Sequence, residues 1–115
     1  MSGAAITVSP DGTWFQASGG HRVNLERRAV LRALMRVLVE HRLAAPGAPL
    51  ARDELVARLW PGERLIRDSA QNRLHVAIHT LRKLGMAGVL RRCGEGYFLD
   101  PGLEIRLHRD SALAA

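Results

Sequence analysis

Cysteine is nearly absent from this chain: Cys93 is the only one in 115 residues. One thiol cannot form an intramolecular disulfide, and a zinc site built on cysteines would need a second chain. Long apolar runs are missing too, since no stretch approaches the ~20 consecutive apolar residues of a membrane-spanning helix. The first residues, MSGAAITVSPDG, have neither the basic start nor the apolar core of a secretory signal. These absences predict a cytoplasmic protein with no membrane partner. Nor does the chain show paired carboxylates in a pocket-like pattern, a nucleophile with a positioned base, or a cofactor fingerprint. The expectation is therefore a protein that is not an enzyme and needs no cofactor. There is no internal repeat and no low-complexity tract.

What is present is positive charge. Seventeen basic residues against 11 acidic ones leave a formal charge of +6, and all but Lys83 of the basic residues are arginine. A basic chain of this kind suits a polyanionic partner, most simply nucleic acid. The location of the charge says more than its sum. Between Arg67 and Arg92 lie Arg67, Arg73, Arg82, Lys83, Arg91 and Arg92, opposed by Asp68 alone. That segment carries nearly the whole excess.

Hydrophobic periodicity divides the chain into elements. Residues 5–9 and 13–17 read as short strands around Pro10-Asp11-Gly12, a strong turn signal, and Gly19-Gly20 turns the chain again into His21–Asn24. From Leu25 to Leu43 the apolar spacing becomes helical, with Leu31, Leu34 and Leu38 in one stripe, Asn24 as the expected cap and Ala45-Pro46-Gly47 as the stop. Arg28, Arg32 and Arg36 form a solvated face of that helix, with Arg36 placed to pair with Glu40. A second helix is expected over 52–60, with Asp53 and Glu54 in its first turn, where the helix dipole favours acids. Asp68 followed by Gln71 resembles a capping box and opens a third helix over 69–84. Its buried face holds Ala70, Leu74, Ala77, Ile78, Leu81 and Leu84, and Gly85 ends it.

Val89–Cys93 and Tyr97–Asp100 then flank Gly94-Glu95-Gly96, a tight hairpin in which Cys93 is expected to be a packed thiol. Leu103, Ile105 and Leu107 alternate with Glu104, Arg106 and His108, a pattern for a last edge strand. The predicted fold is α+β: a winged helix-turn-helix with an N-terminal antiparallel β-meander, three helices and a C-terminal β-hairpin wing over 89–99. Residues 1–102 make one domain and 103–115 a tail, an edge strand and then a frayed end.

Four pieces in order resemble a known family: the meander ending Val23-Asn24-Leu25, the helix Asp53-Glu54-Leu55-Val56-x-x-Leu59-Trp60, the stretch Asn72–Leu84 ending Leu81-Arg82-Lys83-Leu84, and Gly94-Glu95-Gly96-Tyr97. Together they resemble the winged-helix effector domain of OmpR/PhoB-type response regulators over residues 5–100. The resemblance implies binding of double-stranded DNA, with the third helix in the major groove and the wing at the adjacent minor groove. It also implies a bacterial transcription regulator, homodimers on direct repeats and, through the loop 61–67, a contact with RNA polymerase. The sequence departs from the family at Ala51, where Ser or Thr commonly caps the second helix. It departs again at Cys93 and Phe98, where the wing commonly carries arginine. No receiver domain precedes the match, so the chain is a stand-alone protein or a piece of a larger one.

A 16-residue helix spans about 24 Å and fits the major groove, which is about 12 Å wide. Helix-turn-helix proteins read bases with the N-terminal part of the second helix of the motif. The base-contact candidates are therefore Asn72, Arg73, Val76, His79 and Thr80. Asn matches adenine, Arg guanine, and Val a thymine methyl group. Arg67, Arg82, Lys83, Arg91 and Arg92 are the phosphate-contact candidates, which orient the protein without reading sequence. His75 and His79 have chelating i, i+4 spacing but no third ligand nearby, so no metal is expected. A competing expectation is a winged helix that binds a protein instead of DNA, through Val76, Phe98 and the Leu103/Ile105/Leu107 strand.

Overall fold

A computed structural model describes residues 5–17, 19–62, 67–94 and 96–107, the side chain of Arg67 excepted. Its architecture is α+β, with three helices and two small sheets. Strands β1 (Ala5–Val8), β2 (Trp14–Ala17) and β3 (Arg22–Asn24) form the antiparallel meander expected from the turn signals. Asp11 makes the first turn. Its Oδ1 accepts from Ser9 Oγ at 2.9 Å, Thr13 Oγ1 at 2.8 Å and the Thr13 amide at 3.1 Å. The side-chain hydroxyl of Thr13, then that of Ser9, are the main reasons this carboxyl lies below its ordinary pKa.

Helix α1 (Ala29–Ala44) begins four residues later than its periodicity suggests. Leu25 is fully buried, and its amide donates to the Thr13 carbonyl. Held there, residues 25–28 close a separate turn, with the Arg28 amide bonded to the Leu25 carbonyl. Asn24 caps this turn through the Glu26 amide at 2.7 Å rather than capping the helix. Leu31, Leu34, Met35, Val37, Leu38 and Val39 make α1 the centre of the core. The Arg36–Glu40 ion pair does not form among the described residues; the stem of Arg36 lies over Gly12 instead.

The short strand β4 (Leu50–Ala51) leads directly into α2 (Arg52–Leu59), and α3 spans Arg67–Leu81. Asp68 thus lies inside the first turn of α3 and is not its cap. After Leu81 the chain winds through a wider, π-type turn, Arg82–Met86, in which Gly85 has φ 140°. That φ lies outside any helix, so the winding breaks there, and only glycine takes it without strain. Strands β5 (Leu90–Cys93) and β6 (Gly96–Leu99) form the hairpin, and β4 pairs with the free side of β6. Gly96 permits that third strand: a Cβ on it would stand 2.7 Å from the Leu50 carbonyl oxygen.

The final strand, β7 (Glu104–Leu107), runs parallel to β1, so the first sheet has the order β3-β2-β1-β7. It is steered there by Arg42 in the last turn of α1. The Arg42 guanidinium donates to the carbonyls of Asp100 at 3.2 Å, Pro101 at 2.8 Å and Leu103 at 2.5 Å. Among the described residues no helix is long and apolar enough to cross a membrane.

Candidate functional site

Helix α3 is two-sided. Ala70, Leu74, Ala77, Ile78 and Leu81 are buried, as expected from their spacing, while Leu84 beyond the helix is half-buried. On the other side Asn72, Arg73, His75, Val76 and His79 are exposed. Val76 is 55% exposed, more than any other large apolar residue described.

Four of the five base-contact candidates come together. Asn72, Arg73, Val76 and Thr80 form one wall of an open groove of about 590 Å³. Arg28, Val30 and Leu31 at the start of α1, with Trp60 at the end of α2, form the other walls. His79 lies outside this groove, on the same exposed side of the helix. Thr80 is half-buried, and its hydroxyl donates to the Val76 carbonyl at 2.9 Å. With its proton committed, it offers a ligand only acceptor capacity while that bond persists. The Arg73 guanidinium sits 5.9 Å from the centre of the Trp60 ring, a cation–π distance. Trp60 is half-buried, so it also serves to hold Arg73.

The phosphate-contact candidates divide. Lys83 and Arg92 are exposed. Arg82 is half-buried, and its Nε and Nη2 donate to the Leu90 carbonyl at 3.1 and 3.0 Å. It ties the turn after α3 to β5. Arg91 donates through Nε and Nη2 to Asp100 Oδ2 at 3.1 and 2.9 Å, across the hairpin. The Gly102 amide and then Arg91 hold the Asp100 carboxyl below its ordinary pKa. Arg82 is thus held by the fold, whereas Arg91 stays exposed, 55% of its side chain accessible, while paired with Asp100. Both have an acceptor that local sequence does not reveal, Leu90 on β5 for Arg82 and Asp100 just after β6 for Arg91. The Arg67 side chain, loop residues 63–66, Glu95 and residues 108–115 lie outside the described residues.

Cys93 is corrected as well. It is exposed, since β5 enters the core only at Leu90 and its three following residues project toward the tip of the hairpin. Phe98 is half-buried and Tyr97 is buried. Among the described residues no three His, Cys, Asp or Glu side chains gather in a metal-binding group.

Sequence reasoning missed Arg28 and Trp60 as parts of this surface, with Arg28 expected only on a solvated helix face. They come from elements distant in sequence, and no local pattern joins them to α3. Scans against family models, curated proteins and solved structures match nothing.

Proposed function

We propose that this chain is a winged helix-turn-helix domain that binds double-stranded DNA as a transcription regulator. In this reading α3 enters the major groove and the β5–β6 hairpin is the wing. The observation that carries the reading is the exposed side of α3. Asn72, Arg73, Val76 and His79 supply an amide, a guanidinium, an apolar surface and an imidazole within the reach of a base edge. The opposite side of the same helix is packed into the core, so those groups are presented on a rigid element. Exposed Lys83, just past the helix, and Arg92, on the hairpin, suit phosphates. With Arg91 paired and Cys93 in place of an arginine, the wing contributes little and the helix most of the specificity.

A second reading draws support from one observation, the apolar lining of the groove. Val30, Leu31, Trp60, Val76 and Ala77 would suit an apolar segment of a protein partner. Selection from random duplexes at fixed salt, followed by titration of the selected site, tests the first reading. Arg73→Ala with His79→Ala should abolish selective duplex binding. Absence of salt-sensitive duplex binding even at low ionic strength would overturn DNA recognition and favour the protein partner.

A further inference from the structure

Three large apolar side chains are exposed among the described residues: Leu43, Val76 and Leu107. Val76 belongs to the groove on α3. Leu43 and Leu107 lie together, around a cleft of about 170 Å³ that also includes Val8, Val39 and Glu40. This cleft borders the edge of the four-stranded sheet. β7 pairs with β1 on one side, and no described strand pairs with its other side. A sheet edge displays backbone N–H and C=O groups that can receive another strand.

Edges are commonly protected by charges that repel a second copy. β7 carries charges that would attract one. Its exposed Glu104 and Arg106 have opposite signs and bond to each other at 2.6 Å. Leu103, Ile105 and Leu107 alternate with them on the other face. Antiparallel pairing of two copies about Ile105 would set Glu104 of each strand opposite Arg106 of the other. Ile105 would meet its own copy, and the exposed Leu107 would lie at the end of the pairing, beside Leu103 of the other strand, which is buried in its own core. Within the paired strands each charge then faces a countercharge, and Ile105 faces Ile105.

The other edge lacks this property. Pairing β3 with itself about Val23 would place Arg22 opposite Asn24, and Arg22 is already stacked on Trp14 at 3.9 Å. At β7, by contrast, the strand is set in advance. Arg42 grips the three carbonyls just before it, so little ordering remains to oppose association.

We propose that the chain forms a two-fold homodimer by antiparallel pairing of its β7 edges, covering the cleft between Leu43 and Leu107. This contact does not depend on the DNA reading, and it is tested without nucleic acid. Sedimentation of the full chain across micromolar concentrations should show a reversible monomer–dimer equilibrium. Glu104→Arg alone, or Arg106→Glu alone, sets like charges opposite each other twice by symmetry and should raise Kd about tenfold or more. The double swap E104R/R106E restores both pairs and should restore the dimer. Leu107→Glu, at an exposed site, should weaken the dimer while circular dichroism stays unchanged. A chain that remains monomeric throughout overturns the proposal. So does a dimer indifferent to these variants, which would move the contact elsewhere, or a double swap that fails to rescue. Loss of DNA binding with the dimer intact would sink only the DNA reading.

Discussion

On α3, the side chains of Asn72, Val76 and His79 are exposed, whereas in the hairpin and the turn before it two of four cations are taken up by the fold. Arg82 is half-buried on the Leu90 carbonyl, and Arg91, though exposed like Lys83 and Arg92, is paired with Asp100. Both regions look equally basic and polar in the sequence. The difference is whether an acceptor from another strand comes within reach. A guanidinium presents five donors in a rigid fork, so a nearby carbonyl or carboxylate readily captures it. Formal charge therefore overstates the charge the hairpin can offer to a polyanion.

The largest effect that could break this contrast lies on the helix. Arg73→Ala with His79→Ala should reduce affinity for a selected duplex on the order of 100-fold or more, at about 1–3 kcal/mol for each good base contact. Arg91→Ala measured against the same duplex should cost far less. If the two losses were equal, the division between helix and hairpin would be wrong.

Next in size is Gly96→Ala. The added Cβ must displace the Leu50 backbone, which is not a flexible side chain, so unfolding by denaturant should show a loss of about 1–3 kcal/mol. Arg82→Ala should destabilise by about 1 kcal/mol, through loss of hydrogen bonds to Leu90 in a half-buried setting. With Arg82 and Arg91 engaged, the log–log salt slope of duplex binding should be about −3, whereas five free phosphate contacts would give about −4 to −5. A slope near −5 would mean that both arginines leave their partners on binding.

The smallest effect concerns Asp100. Its carboxyl should titrate below the ordinary Asp range in an NMR pH series. A lowered native pKa stabilises the fold above the unfolded pKa, and that contribution is lost as pH falls through the native value. Arg91→Ala should move the titration only part of the way back, because the Gly102 amide is the larger cause. A full return would reverse that ranking.

The elements were readable wherever periodicity was strong. The leucine stripe announced α1, the spacing from Ala70 to Leu81 announced the two-sided α3, and Gly94 to Gly96 announced the hairpin. Alternation at Leu103, Ile105 and Leu107 announced a strand but not its neighbour, since a period of two sets faces and not partners. β4 was invisible because two residues, Leu50 and Ala51, carry no period at all. The start of α1 was missed because the burial of Leu25 is a long-range event that overrides a local cap signal. For the candidate site, the exposed face of α3 was legible, while the groove it shares with Arg28 and Trp60 was not.

By itself, then, the sequence determined where the three helices and the longer strands lie, which face of α3 is buried, and where positive charge accumulates along the chain. Each of these follows from spacing over a few residues. Tertiary structure alone decided that β7 lies parallel to β1, that Arg42 holds it there, that Cys93 is exposed, and that Arg82 and Arg91 are already paired. Each of those depends on groups far apart in the chain, brought within hydrogen-bonding or packing distance only when the core around α1 has formed.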